Sequence, residues 1–324
     1  ISSQVLDDDP EQSVSELAPD VLGFKSYFTS GMETFARIDH CRYLEVLRLT
    51  AAAGRPALLH AEDFDFIARA TADARLLADG PRAWHAARPE AAETLAILAA
   101  TELARIAGGD LHIVHVSTGQ GARIVGAATG VTGETAPHYL AFTLEDFERI
   151  GSPLKVAPPV KPAPNRDELW QALADGSLSF VASDHAPAPD DQKATGSIWT
   201  DYAGIPGTGT LLPYLYSEGY RTGRIGLDRL VELTSATAAR RYGLDDRKGS
   251  LAVGRDADCV LIREDAEWTV RGSEFLSKGS ITPFEGMRLR GRVERTIVRG
   301  RVVYDRARGI VVDGGHGRFQ RRHR

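Results

Sequence analysis

The sequence predicts an α/β protein whose core is a parallel β-sheet. The first observation is a repeat of short apolar runs, each followed by a turn and a helix-like segment. The runs with strand character are 21–28, 55–60, 110–116, the weaker 130–135, and 178–184. The second observation is that helix-like segments fill the intervals, which is typical of parallel strands joined by crossover helices. Doubly wound sheets and (β/α)8 barrels both produce this alternation, so the pattern alone leaves both open.

The helix-like segments carry the start and stop signals expected of helices. The segment 89–109 opens with Pro89 and closes with two glycines, residues that favour the first position of a helix and the position after its last turn. Apolar residues at helical spacing predict further helices over 41–54, 165–176 and 227–243.

The character of the sequence changes at about residue 248, which predicts a second structural unit. Residues 248–313 contain short apolar runs and many glycines without a long helical pattern, so they predict a small antiparallel β module. The α/β portion then covers 1–247, and its acidic first stretch, 1–20, predicts a loop or a short helix. The Gly- and Arg-rich tail, 314–324, predicts a disordered basic terminus.

The composition is that of an ordinary globular protein and excludes several function classes. The 324 residues are 43% hydrophobic and 26% charged, with a formal net charge of −5. This balance argues against a nucleic-acid coat or a basic membrane-surface protein, and no apolar stretch reaches the roughly 18 residues that span a bilayer. Two cysteines, Cys41 and Cys259, cannot form a disulfide framework, which favours a reducing, cytoplasmic compartment. The chain begins at Ile1 without an initiator methionine, so we expect a piece of a longer protein.

Four of the predicted strands contain or end in a residue that can take part in binding a metal ion. The carboxyl ends of parallel strands form the functional face of α/β proteins, so we expect these side chains to converge there. In chain order, the four residues are Lys25, His60, His115 and Asp184.

Each of these residues also has a structural interpretation. A single histidine at a strand end is more often packed or hydrogen-bonded than a ligand, and we interpret His112 in that way. Asp184 by itself fits the N-cap of a helix equally well. Lys25 is harder to explain, because a lysine between Phe24 and Tyr27 in an apolar strand is costly to bury without a partner. Burial lowers the pKa of an amine, and a neutral amine can condense with carbon dioxide to a carbamate that bridges two cations.

Six motifs in this order give the sequence a family resemblance: GFKSYF, LLHAED, LHIVHVST, ETAPHYL, KVAPPVK and SDHAP. Together they resemble the cyclic amidohydrolases of the amidohydrolase superfamily, the group of allantoinase, hydantoinase, dihydropyrimidinase and dihydroorotase. Two C-terminal segments, KGSLAVGRDADCVLI and TPFEGMRLRGRVERTIVRGRVVYD, resemble the end of the same family. The resemblance implies a (β/α)8 TIM-type barrel with a β-sandwich. It makes 1–247 a partial metal-dependent hydrolase barrel and 248–313 a C-terminal sandwich segment.

The resemblance gives a role to each of the four strand-end residues. Lys25 matches the carboxylated lysine that bridges two metal ions, and His60 and His115 match the ligands of the second ion. Asp184 matches the ligand of the first ion that also shuttles the proton, and it is the implied catalytic residue. The implied cofactor is a pair of zinc ions, which these ligand types suit. In such a site a hydroxide held between the ions attacks the ring carbonyl, and the aspartate protonates the leaving nitrogen.

One part of the family pattern is missing from this sequence. The family carries a His-x-His pair at the end of the first barrel strand, which completes the first metal site, and no His-x-His occurs here. We interpret the gap as a truncation that starts the chain near the fourth barrel strand, rather than as natural loss of one metal site. We therefore expect this chain alone to be inactive.

The motifs also bear on the substrate. GFKSYF, ETAPHYL and KVAPPVK look most like allantoinases. Ala188 stands where dihydroorotases carry a histidine for the substrate carboxylate, and Ser30 lies near the place where dihydropyrimidinases and D-hydantoinases carry a tyrosine. An allantoinase-like or L-hydantoinase-like substrate therefore remains. The candidate substrate contacts are Ser30, Ala157, Pro206 and Gly207.

Three alternatives stay open beside the favoured function. The first is dihydroorotase activity, and the second is a non-catalytic structural relative of the dihydropyrimidinases. The third is a doubly wound nucleotide-binding protein, although the only candidate phosphate loop, 207–210, follows no clear strand. The expected partner is a small cyclic amide, with no nucleic acid and no membrane, and the family resemblance implies a homotetramer or homodimer.

Overall fold

Five short parallel strands form the main sheet of the computed structural model, which describes residues 9–30 and 36–322. The strands hydrogen-bond in chain order, each to the next. This order is that of a (β/α) barrel wall, whereas a doubly wound sheet reverses its strand order at a switch point. The strands are β1 (Phe24–Tyr27), β2 (Ala57–His60), β3 (Leu111–Ile113), β4 (Val131–Thr135) and β5 (Phe180–Val181).

Most residues of the strands are buried, which explains their largely apolar character. Phe24, Leu59 and Leu111 have no exposed surface, as expected of parallel strands covered on both faces. The strand register places Tyr27 of β1 beside His60 of β2. The carboxyl ends of β1 and β2 therefore lie side by side at one edge of the sheet.

Helices connect each strand to the next, and the predicted helices over 41–54, 89–109 and 165–176 are confirmed. Several helices begin at an aspartate or threonine whose side chain accepts a backbone N–H, such as Asp39 and Thr118. The helices up to β5 are α1 (Pro10–Leu17), α2 (His40–Ala52), α3 (Phe64–Leu77), α4 (Pro81–Ala87), α5 (Glu90–Ala107), α6 (Gly119–Ala127), α7 (Pro137–Ala141), α8 (Leu144–Ile150) and α9 (Ala163–Asp175), with a 3₁₀ turn at Ser152–Leu154.

The chain after β5 is again helical, in short pieces. The predicted helix over 227–243 is present but contains a π-helical turn, Glu232–Ala236, between its two α-helical parts. A second π-helical stretch, Leu215–Tyr220, continues a helix that the sequence patterns had not indicated. The α-helices of this region are α10 (Asp190–Lys193), α11 (Leu211–Tyr214), α12 (Leu227–Val231) and α13 (Thr237–Arg241).

The predicted antiparallel β module is confirmed, although its first strand starts later than residue 248. Four antiparallel strands pair in chain order, and Arg299 and Gly300, both with positive φ, form the two-residue turn between the second and third. The strands are β6 (Cys259–Thr269), β7 (Arg288–Val298), β8 (Arg301–Asp305) and β9 (Gly309–Ile310).

The two ends of the described chain lie against each other. Helix α1 confirms the short helix expected within 1–20, of which residues 1–8 lie outside the described part. In the C-terminal tail, Arg321 pairs with Asp20 at 2.8 Å and Arg322 donates to the carbonyl of Gly54 at 2.7 Å. The boundaries at 247 and 313 and the disorder of the tail stay predictions. No helix of the described residues is long and apolar enough to cross a membrane.

Candidate metal centre and active site

The four predicted site residues lie at the carboxyl-end edge of the parallel sheet. Lys25 is the second residue of β1, and His60 is the last residue of β2. His115 follows β3 by two residues and Asp184 follows β5 by three. The charge of Lys25 acts on both histidines and the charge of Asp184 acts on Lys25, so the structure brings the four groups into one region.

The two histidines form a close pair. His60 Nδ1 lies 3.0 Å from His115 Nε2, and the ring centroids are 4.7 Å apart. Both side chains are buried. His115 has a φ of 43°, an uncommon left-handed conformation for a non-glycine residue. Strained backbone of this kind is concentrated at functional sites, where the surrounding fold imposes it.

A buried carboxylate fixes the orientation of His60. The Glu62 carboxylate accepts a hydrogen bond from His60 Nε2 at 2.8 Å and forms an ion pair with Arg88. Burial opposes the charge of Glu62, but Arg88 and His60 outweigh it and lower its pKa to about 2. A permanently charged acceptor holds the proton of His60 on Nε2, which leaves the lone pair of Nδ1 facing His115.

This arrangement fits a metal ion. Two imidazole nitrogens bound to one zinc ion at 2.0–2.1 Å in a tetrahedral arrangement lie about 3.3 Å apart. The 3.0 Å between His60 Nδ1 and His115 Nε2 is close to that value. The hydrogen bond from His60 Nε2 to a carboxylate is the usual partner of a metal-binding histidine.

The chemical state of Lys25 also suits a metal-bridging role. Its ammonium has a pKa below the usual lysine range, because burial outweighs the opposing charges of Asp184 and Glu134. The amine nitrogen lies 4.9 Å from the centre of the Tyr27 ring, on the same strand. A buried amine that loses its proton readily is a nucleophile towards carbon dioxide.

Asp184 lies opposite a buried histidine and is not a helix cap, so the alternative interpretation as an N-cap is wrong. The next residue, His185, forms a β-bridge with Ile205 on the loop after α10. The φ of Asp184 is 45°, which is again left-handed. Burial raises its pKa to about 6, although Lys25 counteracts this. His138 Nε2 lies 3.8 Å from Asp184 Oδ2 and has no hydrogen-bond partner.

The site contains pairs of ligand side chains rather than larger clusters. Within residues 9–30 and 36–322, no three His, Cys, Asp or Glu side chains lie close enough together to hold one ion. The histidine pair and Asp184 are thus separate ligand groups, and Lys25 interacts with both.

The candidate substrate contacts fall on three loops. Ala157 is half-buried on the loop after α8, and Pro206 and Gly207 are buried on the loop after α10. These two loops are joined, because the Gly204 amide donates to the Lys155 carbonyl at 3.1 Å. Ser30 follows β1 and adjoins residues 31–35, which lie outside the described part of the chain.

Three further residues of the site had no role in the sequence interpretation. Glu62 and His138 lay within the recognised motifs LLHAED and ETAPHYL, so their signal was present but unassigned. Arg88 carried no such signal, because it reaches Glu62 from 26 positions further along the chain, outside any recognised motif. His112 is a structural residue as expected, since it bonds Thr132 Oγ1 at 2.7 Å and stacks on Phe180.

The chain is similar to known proteins over most of its length. The allantoinase of Rubrobacter xylanophilus is 42% identical over 309 residues, which are 93% of this chain and 67% of that protein. The dihydroorotase of Halobacterium salinarum is 36% identical over 271 residues, or 83% of this chain and 61% of that protein. The solved L-hydantoinase (dihydropyrimidinase) from Arthrobacter aurescens has a TM-score of 0.91 at 31% identity, covering 94% of this chain and 69% of that one.

The similarity covers the fold and most of this chain. The chain spans 67% of the length of the allantoinase and 61% of the length of the dihydroorotase. The structural match and the sequential order of the parallel strands confirm the predicted α/β barrel class. The model of the amidohydrolase family matches residues 37–303. This chain therefore belongs to the amidohydrolase family.

Proposed function

We propose that the protein hydrolyses a cyclic amide, opening the ring with the help of metal ions held at the carboxyl ends of the strands. The observation that supports this most strongly is the His60–His115 pair, 3.0 Å apart and oriented by a buried carboxylate. The amidohydrolase family is generally metal-dependent. Relatives named allantoinase, dihydroorotase and hydantoinase support a cyclic amide as the substrate class.

The residues that would hold metal are those named by the sequence motifs. His60 Nδ1 and His115 Nε2 would hold one zinc ion, and Asp184 would bind a second. Lys25 would join the two sites after its neutral amine adds to carbon dioxide and loses one proton, which gives a carbamate. When bound, the two ions supply a nucleophilic hydroxide at neutral pH and polarise the ring carbonyl.

Asp184 would move the proton. Its carboxylate takes a proton during attack on the carbonyl carbon and gives it to the ring nitrogen as the carbon–nitrogen bond breaks. An amide nitrogen is a poor leaving group without that proton. The ring of His138 lies nearby, with Nε2 at 3.8 Å from Asp184 Oδ2.

An allantoinase-like substrate is the favoured choice. Relatives named allantoinase support it, and Ala157, Pro206 and Gly207 are the proposed substrate contacts from the sequence motifs. Dihydroorotate is the second candidate because a dihydroorotase is among the relatives. Ala188 offers no charge for its carboxylate and is buried. A homodimer or homotetramer remains a proposal from family resemblance.

A substrate panel tests the proposal. The protein is produced from its natural reading frame, loaded with zinc, and assayed with allantoin, hydantoins, dihydrouracil and dihydroorotate. We expect ring opening of at least one of them, about two zinc ions per protomer, and loss of both turnover and the second ion in Lys25→Ala. A zinc-loaded protein that opens none of these rings would contradict the proposal and favour a non-catalytic relative.

A further inference from the structure

A buried lysine that has no role in the proposed chemistry lies close to the site. Lys193, the last residue of α10, is 2% exposed. Its ammonium donates to three backbone carbonyls, those of Lys155 at 2.9 Å, Tyr202 at 3.0 Å and Gly204 at 2.7 Å. All three donors of the ammonium are therefore used, and none of its partners is a carboxylate.

The three carbonyls belong to two different loops. Lys155 is on the loop that carries Ala157, while Tyr202 and Gly204 are on the loop that carries Pro206 and Gly207. Three carbonyl oxygens that point at one spot repel one another unless a donor lies between them. The Lys193 ammonium is that donor, so it holds the two loops in one arrangement.

The second of these loops is packed directly beside Asp184. The Ala186 amide donates to the Ile205 carbonyl at 2.9 Å. A Cβ atom at Gly207 would lie 1.9 Å from the carbonyl oxygen of Ser183, and one at Gly204 would lie 2.4 Å from that of Ala186. Only glycine permits this backbone-to-backbone approach. The loop is therefore in direct backbone contact with the segment that carries Asp184.

We propose that Lys193 is a positioning residue that clamps the two substrate-facing loops together and so sets the shape of the binding pocket. The inference rests on the proposed function, since it assumes that these loops contact the substrate. Removing the ammonium should loosen the loops without removing a metal ligand or the proton shuttle. The loss should therefore appear mainly in substrate binding, as a higher KM.

The experiment compares Lys193→Met with the parent and with Lys248→Met in the full natural protein. Lys248 pairs with Asp256 and Asp258 near the antiparallel sheet, so its variant controls for loss of an ion pair elsewhere. In Lys193→Met we expect KM to rise by about tenfold or more with kcat within about twofold. The zinc content should equal that of the parent. A KM equal to that of the parent, or a fall in kcat together with zinc content, would overturn the inference.

Amide hydrogen exchange provides a readout that does not depend on turnover. The Gly204 and Ala186 amides should exchange about tenfold faster or more in Lys193→Met, while the Val114 amide in the sheet keeps its parent rate. Unchanged exchange at Gly204, or faster exchange throughout the chain, would overturn the clamp whatever the assay gives. A parent protein that opens no ring would instead contradict the proposed function alone.

Discussion

The two sheets of this protein place charged side chains in opposite ways. At the end of the parallel sheet, Glu62 is completely buried and its partner Arg88 is 5% exposed. In the antiparallel sheet, the ion pair of Arg288 and Glu267 leaves 77% and 49% of the two side chains exposed. Exposed pairs contribute little to stability, whereas a buried charge must be paired and hydrogen-bonded to be tolerated.

The difference shows where the chain uses charge for a purpose other than solubility. A buried carboxylate costs free energy through lost hydration, so its retention beside a histidine pair indicates a demand of the site rather than of the fold. The surface pairs of β6 and β7 carry no such cost. We therefore expect identical substitutions to have large effects at the end of the parallel sheet and small ones in the antiparallel sheet.

The largest expected effect is on turnover. Asp184→Asn keeps the size of the side chain but removes the proton-accepting carboxylate, so kcat should fall by about 10²–10⁴-fold. The matched control is Asp265→Asn on the exposed strand β6, which should keep kcat within about twofold. Steady-state kinetics on the best substrate of the panel measure both. Similar kcat values for the two variants would show that the same substitution has the same effect at both sheets, contrary to the prediction.

A smaller effect is expected on metal affinity. Glu62→Gln still offers an acceptor to His60 but removes the charge that fixes its tautomer and neutralises Arg88. The affinity for zinc should fall by about 10–100-fold, as measured by competition with a chelator. Glu267→Gln, in the antiparallel sheet, should leave the affinity within about twofold. An unchanged affinity in Glu62→Gln would mean that the carboxylate serves the fold rather than the histidine pair.

Sequence patterns predicted the polar residues that end apolar strands. They did not predict the residues that hold those polar side chains and the nearby loops in place. His60 and Asp184 were recognisable because each ends a short apolar run at the functional edge of a parallel sheet. Arg88 was not, because it reaches Glu62 across 26 residues, through helix packing that no local pattern encodes. Lys193 was missed for a related reason: its partners are backbone carbonyls, which every residue has and which leave no signal in the sequence. Helix α6 was missed because its glycines weaken the helical pattern.

The smallest expected effect concerns stability in acid. His85 on α4 has its pKa lowered to about 4, mainly by burial and further by Lys161 and Arg82, and its buried Nε2 has no hydrogen-bond partner. Between pH 6.5 and 4 the unfolded chain takes up a proton at this position that the folded protein excludes, so the folded state loses stability as the pH falls.

His85→Gln should therefore lose less stability over that range than the parent in urea unfolding. One proton changes the unfolding free energy by about 1.4 kcal/mol per pH unit at most, and the partial exposure of the ring reduces this. Between pH 7.5 and 8.5, where neither state carries the proton, the two curves should run parallel. If the unfolding free energies of the two proteins have equal slopes against pH in acid, the half-buried His85 behaves like the exposed charges of the antiparallel sheet.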